Sequence, residues 1–327
     1  MKIIKPAKLN IGDTIGIVAS SLPVLPSHKE RFERGKRLIE DMGFRIKEGK
    51  TIGQRRWWMA GTPKEVAEDI NAMFADQNIK AVIVHTGGYS AISVIEHLDY
   101  ELIAHNTKPF IGMSDMTIYH LAILAKTGMV GFHMDDLSYG FGREIKQGME
   151  NWPKLNQEFF LKFLTENKAP GIIKPVTEWE EWKKGRAEGY LMGGILERIS
   201  TLAGTKYFPS EDFWDGSILF WEEIGRDLSE MYQYLHQLKN MGIFERINGM
   251  LVGKIKYLKP LREASREEII EPSLKEMILD TVKDYDFPIM ANMDFGHFTV
   301  NIPMPLGIKV SFDTTKKELN FLEGAVI

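Results

Sequence analysis

The sequence predicts an α/β fold with a parallel sheet covered on both faces. Three observations carry that expectation. Short, continuously apolar runs alternate with segments whose apolar residues recur at helical spacing. Capping residues and stop glycines bracket the helical segments. The apolar runs do not alternate with polar residues, as strands packed on both faces require. In such a sheet the loops after the strands share one edge, where ligands bind.

Taken in order, Thr14-Ile-Gly-Ile-Val-Ala-Ser20 reads as a buried strand. Ser27-His-Lys-Glu30 has the form of a capping box and opens a helix to about Met42, with Gly43 as its stop. Thr62-Pro-Lys-Glu65 is a second box with Pro63 at the first helical position, and Val66, Ile70, Met73 and Phe74 form the stripe behind it. Ala81-Val-Ile-Val84 is the next strand, broken by Gly87-Gly88, and Ala91, Val94, Ile95 and Leu98 mark a helix. Pro109-Phe-Ile-Gly-Met113 is a further strand. Ile118, Leu121, Ala122 and Ala125 mark the helix after it, ended at Gly128.

From about Phe141 to Arg186 the pattern degrades through Trp152-Pro153, Ala169-Pro-Gly171 and the charged Trp179-to-Gly185 stretch, which reads as a linker or mobile loop. Regular structure restarts with the strand Ser217-Ile-Leu-Phe-Trp221 and a helix near Ser229 to Met241. The strand Met250-Leu-Val252, a third capping box at Ser273-Leu-Lys-Glu276 and the strand Pro288-Ile-Met-Ala291 follow. A hairpin over Val310 to Leu322 closes the chain.

Composition narrows the function. With 41 basic against 45 acidic residues, the net charge of −4 lacks the basic field that polyanion binding needs, so no nucleic-acid partner is expected. The absence of cysteine removes disulfides, thiolate metal sites and a cysteine nucleophile. No run approaches the ~20 apolar residues of a membrane span, and the N-terminus lacks a signal-peptide pattern. The chain reads as soluble and cytoplasmic. No metal-ligand spacing, Walker loop or dinucleotide fingerprint is present, so no cofactor is expected.

The strongest candidate site is Gly112-Met-Ser114-Asp115, where a buried strand runs into a serine and a helix starts at once. That turn exposes the hydroxyl beside the unpaired first amides of the helix, which favour an oxyanion. An ordinary N-cap is the alternative. Gly87-Gly88 emerges at the same edge, either as a second oxyanion donor or as a plain turn. A serine nucleophile needs a base. His120 points to another face of its helix, His85 and His133 end apolar runs, and His297 sits on a loop after a strand. Glu222 and Glu223 end the strand through Trp221, and since neighbours face opposite ways only one can orient an imidazole. Trp179, Trp182 and Trp221 are stacking candidates or core residues.

At these residues the sequence resembles the LD-carboxypeptidase family of serine peptidases along nearly its whole length. The pieces that carry the resemblance, in order, include Gly12-Asp-Thr-Ile-Gly16, Gly87-Gly-Tyr-Ser-Ala91, Ile111-Gly-Met-Ser-Asp-Met-Thr117, Gly193-Gly194, Leu219-Phe-Trp-Glu222 and Gly296-His297. Asp294-Phe-Gly-His297, the Gly-Gly-Tyr-Ser loop and Tyr100-Glu-Leu-Ile103 look most like the microcin C self-immunity peptidases within it. The resemblance implies a Ser114–Glu222–His297 triad, an oxyanion hole from the amides of Gly88 and Asp115, and no cofactor. It also implies an N-terminal nucleophile domain over residues 1–165 and a linker or active-site loop over 166–190. A smaller, β-rich C-terminal domain over 191–327 would carry the acid and the base, and the protein would be a homodimer. Substrate contacts are expected at Gly87, Tyr89, Trp179, Trp182, Ile195 and Arg226. The last two depart from the family pattern, which has asparagine at the first and lysine at the second. The expected substrate is a small peptide or a peptidyl- or aminoacyl-nucleotide cleaved at an amide. A muropeptide with terminal D-alanine is the alternative, and a non-catalytic anion-binding α/β protein is the alternative of another class.

Overall fold

Continuous apolar runs become strands in two sheets. The computed structural model describes residues 2–145, 148–260, 271–297 and 300–327. In chain order the first strands are β1 (Thr14–Val18), β2 (Arg45–Glu48), β3 (Ile79–Val84), β4 (Phe110–Gly112) and β5 (Phe132–His133). Next come β6 (Gly171–Ile173), β7 (Glu180–Lys183), β8 (Arg186–Ile195), β9 (Ile218–Glu222) and β10 (Gly249–Gly253). The last are β11 (Ile289–Met293), β12 (Met304–Pro305), β13 (Lys309–Asp313) and β14 (Glu318–Phe321). One sheet has the order β12-β5-β4-β3-β1-β2, parallel except where β12 meets β5. The other has the order β6-β14-β13-β8-β9-β10-β11-β7, with β8 to β11 parallel and the strands flanking them antiparallel. The α/β class and the parallel N-terminal sheet are as the sequence predicts.

The helices follow their local signals with instructive exceptions. After α1 (Lys29–Asp41), α2 (Pro63–Ala75) is capped by Thr62, which accepts from the Glu65 amide while Glu65 returns the bond to the Thr62 amide at 2.7 Å. Short helices α3 (Ala91–Val94) and α4 (Tyr100–His105) precede α5 (Met116–Thr127), which Gly128 ends at φ +79°. The Ser27 box does not form. A 3-10 turn occupies Pro26–His28 and α1 starts at Lys29, with no side-chain cap. Pro26 sets the chain turning early and takes Ser27 into the turn.

The stretch expected to be a linker is structured. It contains α6 (Trp152–Leu164), which buries Phe160, Phe163 and Leu164, and then β6 and β7 at opposite edges of the second sheet. Residues 166–190 therefore belong largely to that sheet. An edge strand buries one face only and carries charge on the other, which is why Glu180–Lys183 lacks an apolar run. Beyond α7 (Leu196–Leu202) and α8 (Glu211–Trp214), helix α9 (Leu228–Asn240) opens on a box the sequence reading missed, Asp227 with Glu230, and α10 (Leu274–Thr281) on the expected Ser273–Glu276 box. The second sheet, with eight strands, exceeds the six-stranded first.

Two features join the sheets. β12 returns to pair with β5, carrying the end of the chain back to the N-terminal sheet. Helix α5 is buried from Met116 to Leu124 on every face, because α7 and β8 cover the side that the first sheet does not. An apolar helix at a strand end is thereby fixed between both halves. Among the described residues no helix is long and apolar enough to cross a membrane.

Candidate active site

Strand β4 ends at Gly112, and two residues later the backbone of Ser114 adopts φ +69°. A non-glycine residue in this left-handed region costs about 1 kcal/mol and persists only where its surroundings impose it. Asp115 holds the N-cap position of α5, yet its carboxylate does not cap the helix. It accepts instead from the Ser90 and Ala91 amides at 2.8 and 2.9 Å and from the Ser21 hydroxyl at 2.8 Å. The turn is therefore shaped by neighbouring loops rather than by capping.

The glycine pair after β3 approaches this turn closely. A Cβ on Gly87 would stand 2.6 Å from Ser114 Cβ and 2.8 Å from its Oγ, so only glycine passes the hydroxyl. The Gly87 carbonyl accepts from the Leu22 amide at 3.1 Å. Carbonyl and N–H of one trans peptide point opposite ways, so this bond turns the Gly88 N–H away from Leu22.

The acid and the imidazole come from the second sheet. Glu222 closes β9, fully buried, and its Oε2 lies 2.9 Å from His297 Nδ1. Gly296, at φ +104°, permits this contact, since a Cβ there would meet the Glu222 side chain at 3.0 Å. Burial works against protonation of His297. The Glu222 charge and hydrogen bond, with help from Asp136, outweigh it and raise the imidazole above its ordinary range. His133 Nε2 stands 3.8 Å from Glu222 Oε1, but burial lowers that imidazole to about 4 and keeps it neutral. Glu223 faces the other way. It accepts from the amides of Ile224 and Glu197 at 2.9 and 2.8 Å, while burial pushes its carboxyl up to about 7.

A cleft of about 690 Å³ brings most of the expected residues together. Ser114, Gly87, Gly88, Tyr89, Ile195, Arg226 and His297 all line it. Glu222 lies behind His297, and Asp115 is buried under the serine turn. Tyr89 is 66 % exposed, whereas Arg226 is tied to Glu197 at 2.6 Å. The tryptophans are the correction. Trp179 does not line the cleft; it is fully buried, and its Nε1 donates to Asp294 Oδ2 at 2.8 Å. Trp182 also lies outside the cleft, half-buried against the core, with Nε1 on Glu180 at 2.7 Å. An indole prefers an apolar slot with one polar partner, and the Asp294 carboxylate beneath the His297 loop supplies it for Trp179. His120 and His85, the remaining candidates for the base, are held by the core instead. His120 Nε2 lies 3.2 Å from the Phe110 carbonyl and His85 Nδ1 lies 2.6 Å from Ser138 Oγ.

Sequence reasoning missed Arg198, which lines the cleft and reaches both Gly88 and Asp115. A single arginine in a short helix carries no sequence signal. Among the described residues no group of acidic and histidine side chains forms a metal site.

Comparison with known proteins agrees with this arrangement. Residues 15–134 match the LD-carboxypeptidase N-terminal domain and residues 188–312 its C-terminal domain. A probable murein peptide carboxypeptidase of Bacillus subtilis is 30 % identical over 98 % of this chain and 97 % of its own length. The microcin C7 self-immunity protein MccF of Escherichia coli is 26 % identical over 97 % of this chain and 95 % of its own. The structure of MccF in complex with aspartyl sulfamoyl adenosine superposes with a TM-score of 0.87 at 26 % identity, covering 99 % of this chain and 100 % of that one. With both domains matched in order around one cleft, the chain belongs to the LD-carboxypeptidase family of serine peptidases, near its microcin self-immunity branch.

Proposed function

We propose that this serine peptidase hydrolyses an amide bond in a small peptide conjugate through Ser114, His297 and Glu222. The 2.9 Å contact to Glu222 holds the proton on His297 Nδ1 and leaves Nε2 as the base. Nε2 takes the Ser114 proton as Oγ attacks the carbonyl carbon. The Gly88 and Asp115 amides receive the oxyanion, worth about 3 kcal/mol per donor. Collapse of the tetrahedral species expels the amine, which takes the proton from His297. Water, deprotonated by the same imidazole, then releases the acid and restores Ser114. The observation that carries this reading is the left-handed backbone of Ser114 in a cleft shared with a Glu222-paired His297.

The first substrate reading is an aminoacyl or peptidyl nucleotide, supported by the 0.87 TM-score with MccF bound to an aminoacyl sulfamoyl nucleoside. Tyr89, not Trp179, then offers the exposed ring to a flat base. The second is a murein peptide, favoured by the Bacillus relative and by the burial of Trp179. Two domains, 1–165 and the remainder from 166, would meet at the cleft. A cytoplasmic homodimer is part of the same reading, and the lack of cysteine accords with a reducing compartment. The test incubates the purified enzyme and Ser114→Ala with an aminoacyl sulfamoyl adenosine and with a muramoyl tetrapeptide, and weighs the products. Wild type is expected to cleave one of them and the variant neither. Cleavage by Ser114→Ala near the wild-type rate would exclude the mechanism.

A further inference from the structure

The two amides assigned to the oxyanion belong to different loops, one after β3 and one after β4. They can serve one oxygen only if the separation of those loops is fixed. We infer that Arg198, on α7 of the opposite half, is the positioning residue that fixes it; this rests on the reading of Ser114, Gly88 and Asp115 given above.

Its guanidinium spans both loops. Nη2 donates to the Gly88 carbonyl at 2.9 Å, and Nε lies 2.9 Å from Asp115 Oδ1. The Nε–H points off that carboxylate, so the second contact is an ion pair rather than an aligned hydrogen bond. The other Asp115 oxygen gathers the Ser90 and Ala91 amides, so the carboxylate ties the glycine loop to the serine turn from its own side. Nη1 is braced by Glu197 at 2.7 Å, and Glu197 in turn by Arg226 at 2.6 Å. The Tyr89 ring covers the guanidinium at 4.9 Å.

A buried ion pair is weak grounds for stability, because desolvation offsets the attraction. Arg198 and Asp115 have only 8 % and 2 % of their side chains exposed. What the guanidinium supplies is geometry: Nη2 holds the Gly88 carbonyl in a directed hydrogen bond while Nε keeps the charge 2.9 Å from Asp115 Oδ1, and the single ammonium of a lysine cannot stand at both places. The base pair of His297 and Glu222 comes from the second sheet, and so does α7. Arg198 therefore also places the oxyanion amides relative to the half of the molecule that carries the base.

The test measures labelling of Ser114 by a fluorophosphonate, in which Oγ bonds phosphorus, fluoride leaves and His297 takes the proton. Its phosphoryl oxygen needs the same two amides. Arg198→Lys is expected to label about 10- to 100-fold more slowly than wild type. On a turned-over peptide substrate kcat should fall by a like factor, with KM within about threefold. Arg198→Met should behave similarly. Should it fail to fold, Arg198→Lys, which keeps a cation beside Asp115, carries the test alone. Labelling of folded Arg198→Lys within twofold of wild type would overturn the inference. So would a raised KM at unchanged kcat, which would make Arg198 a substrate contact. Wild type that labels while Ser114→Ala does not leaves the underlying reading standing in either case; unlabelled wild type sinks both.

Discussion

Gly87→Ala puts a methyl group where the serine turn leaves no space. Gly87 does not lie in the left-handed region, so its backbone accepts alanine and the effect is steric. The new Cβ would stand 2.6 Å from Ser114 Cβ, 2.8 Å from Oγ and 3.1 Å from the Asp115 amide nitrogen. Ordinary carbon contacts are about 3.5–4.0 Å, so the hydroxyl or the loop must retreat by roughly 1 Å. A displacement of that size at a reacting group costs about 100-fold in rate, or about 2.7 kcal/mol in the barrier. Overpacking takes about 1–3 kcal/mol from stability, which a 327-residue chain tolerates. The assay is kcat and KM on a cleaved substrate, beside a thermal melt of the same sample. We expect kcat about two decades down in a protein that still melts cooperatively. A folded Gly87→Ala within twofold of wild type would refute the placement of the reacting hydroxyl against this loop.

Three further outcomes follow from the geometry of the site and its surroundings. His297 must be neutral to accept a proton, so activity should rise with pH through a midpoint above the ordinary imidazole range, where Glu222 holds it. Glu222→Gln removes the charge and leaves burial, so the midpoint should move to lower pH while kcat falls roughly a thousandfold or more; a pH–rate profile with an unmoved midpoint would contradict the pairing. Trp179→Phe loses the 2.8 Å bond to Asp294 and should cost about 1–3 kcal/mol by denaturant titration, with KM within twofold. A large rise in KM at unchanged stability would mean that the indole reaches the substrate after all.

Much of the site was legible because its members sit at strand ends. A continuous apolar run closing on Ser114, with helical periodicity immediately behind it, announces a strand–helix turn at a sheet edge. His297 was legible for the same reason, as a histidine in the loop after β11. The choice between Glu222 and Glu223 was not. Alternation says that they diverge but not which way, and both are buried. The packing of the Gly296 turn against Glu222, with Glu223 held by the Glu197 amide, decides it. The edges of the second sheet were illegible because β6 is a three-residue strand, too short to show a period, and β7 carries charge where a central strand carries valine and isoleucine.

Local chemistry determined the periodicities, two of the three capping boxes read in advance, the α/β class and the short set of polar residues standing at strand ends. Those depend on neighbours within a few positions, and the chain writes them in order. Which carboxylate meets the imidazole was open to local pattern and came only from the family resemblance; the packing sets that contact, and it alone decided that Trp179 faces inward onto Asp294 and that Arg198 bridges two loops far from it in sequence. Each of these is a contact between segments separated by tens of residues or more, where direction is set by how α7, the Gly296 turn and the second sheet pack against the first. No local pattern encodes that packing.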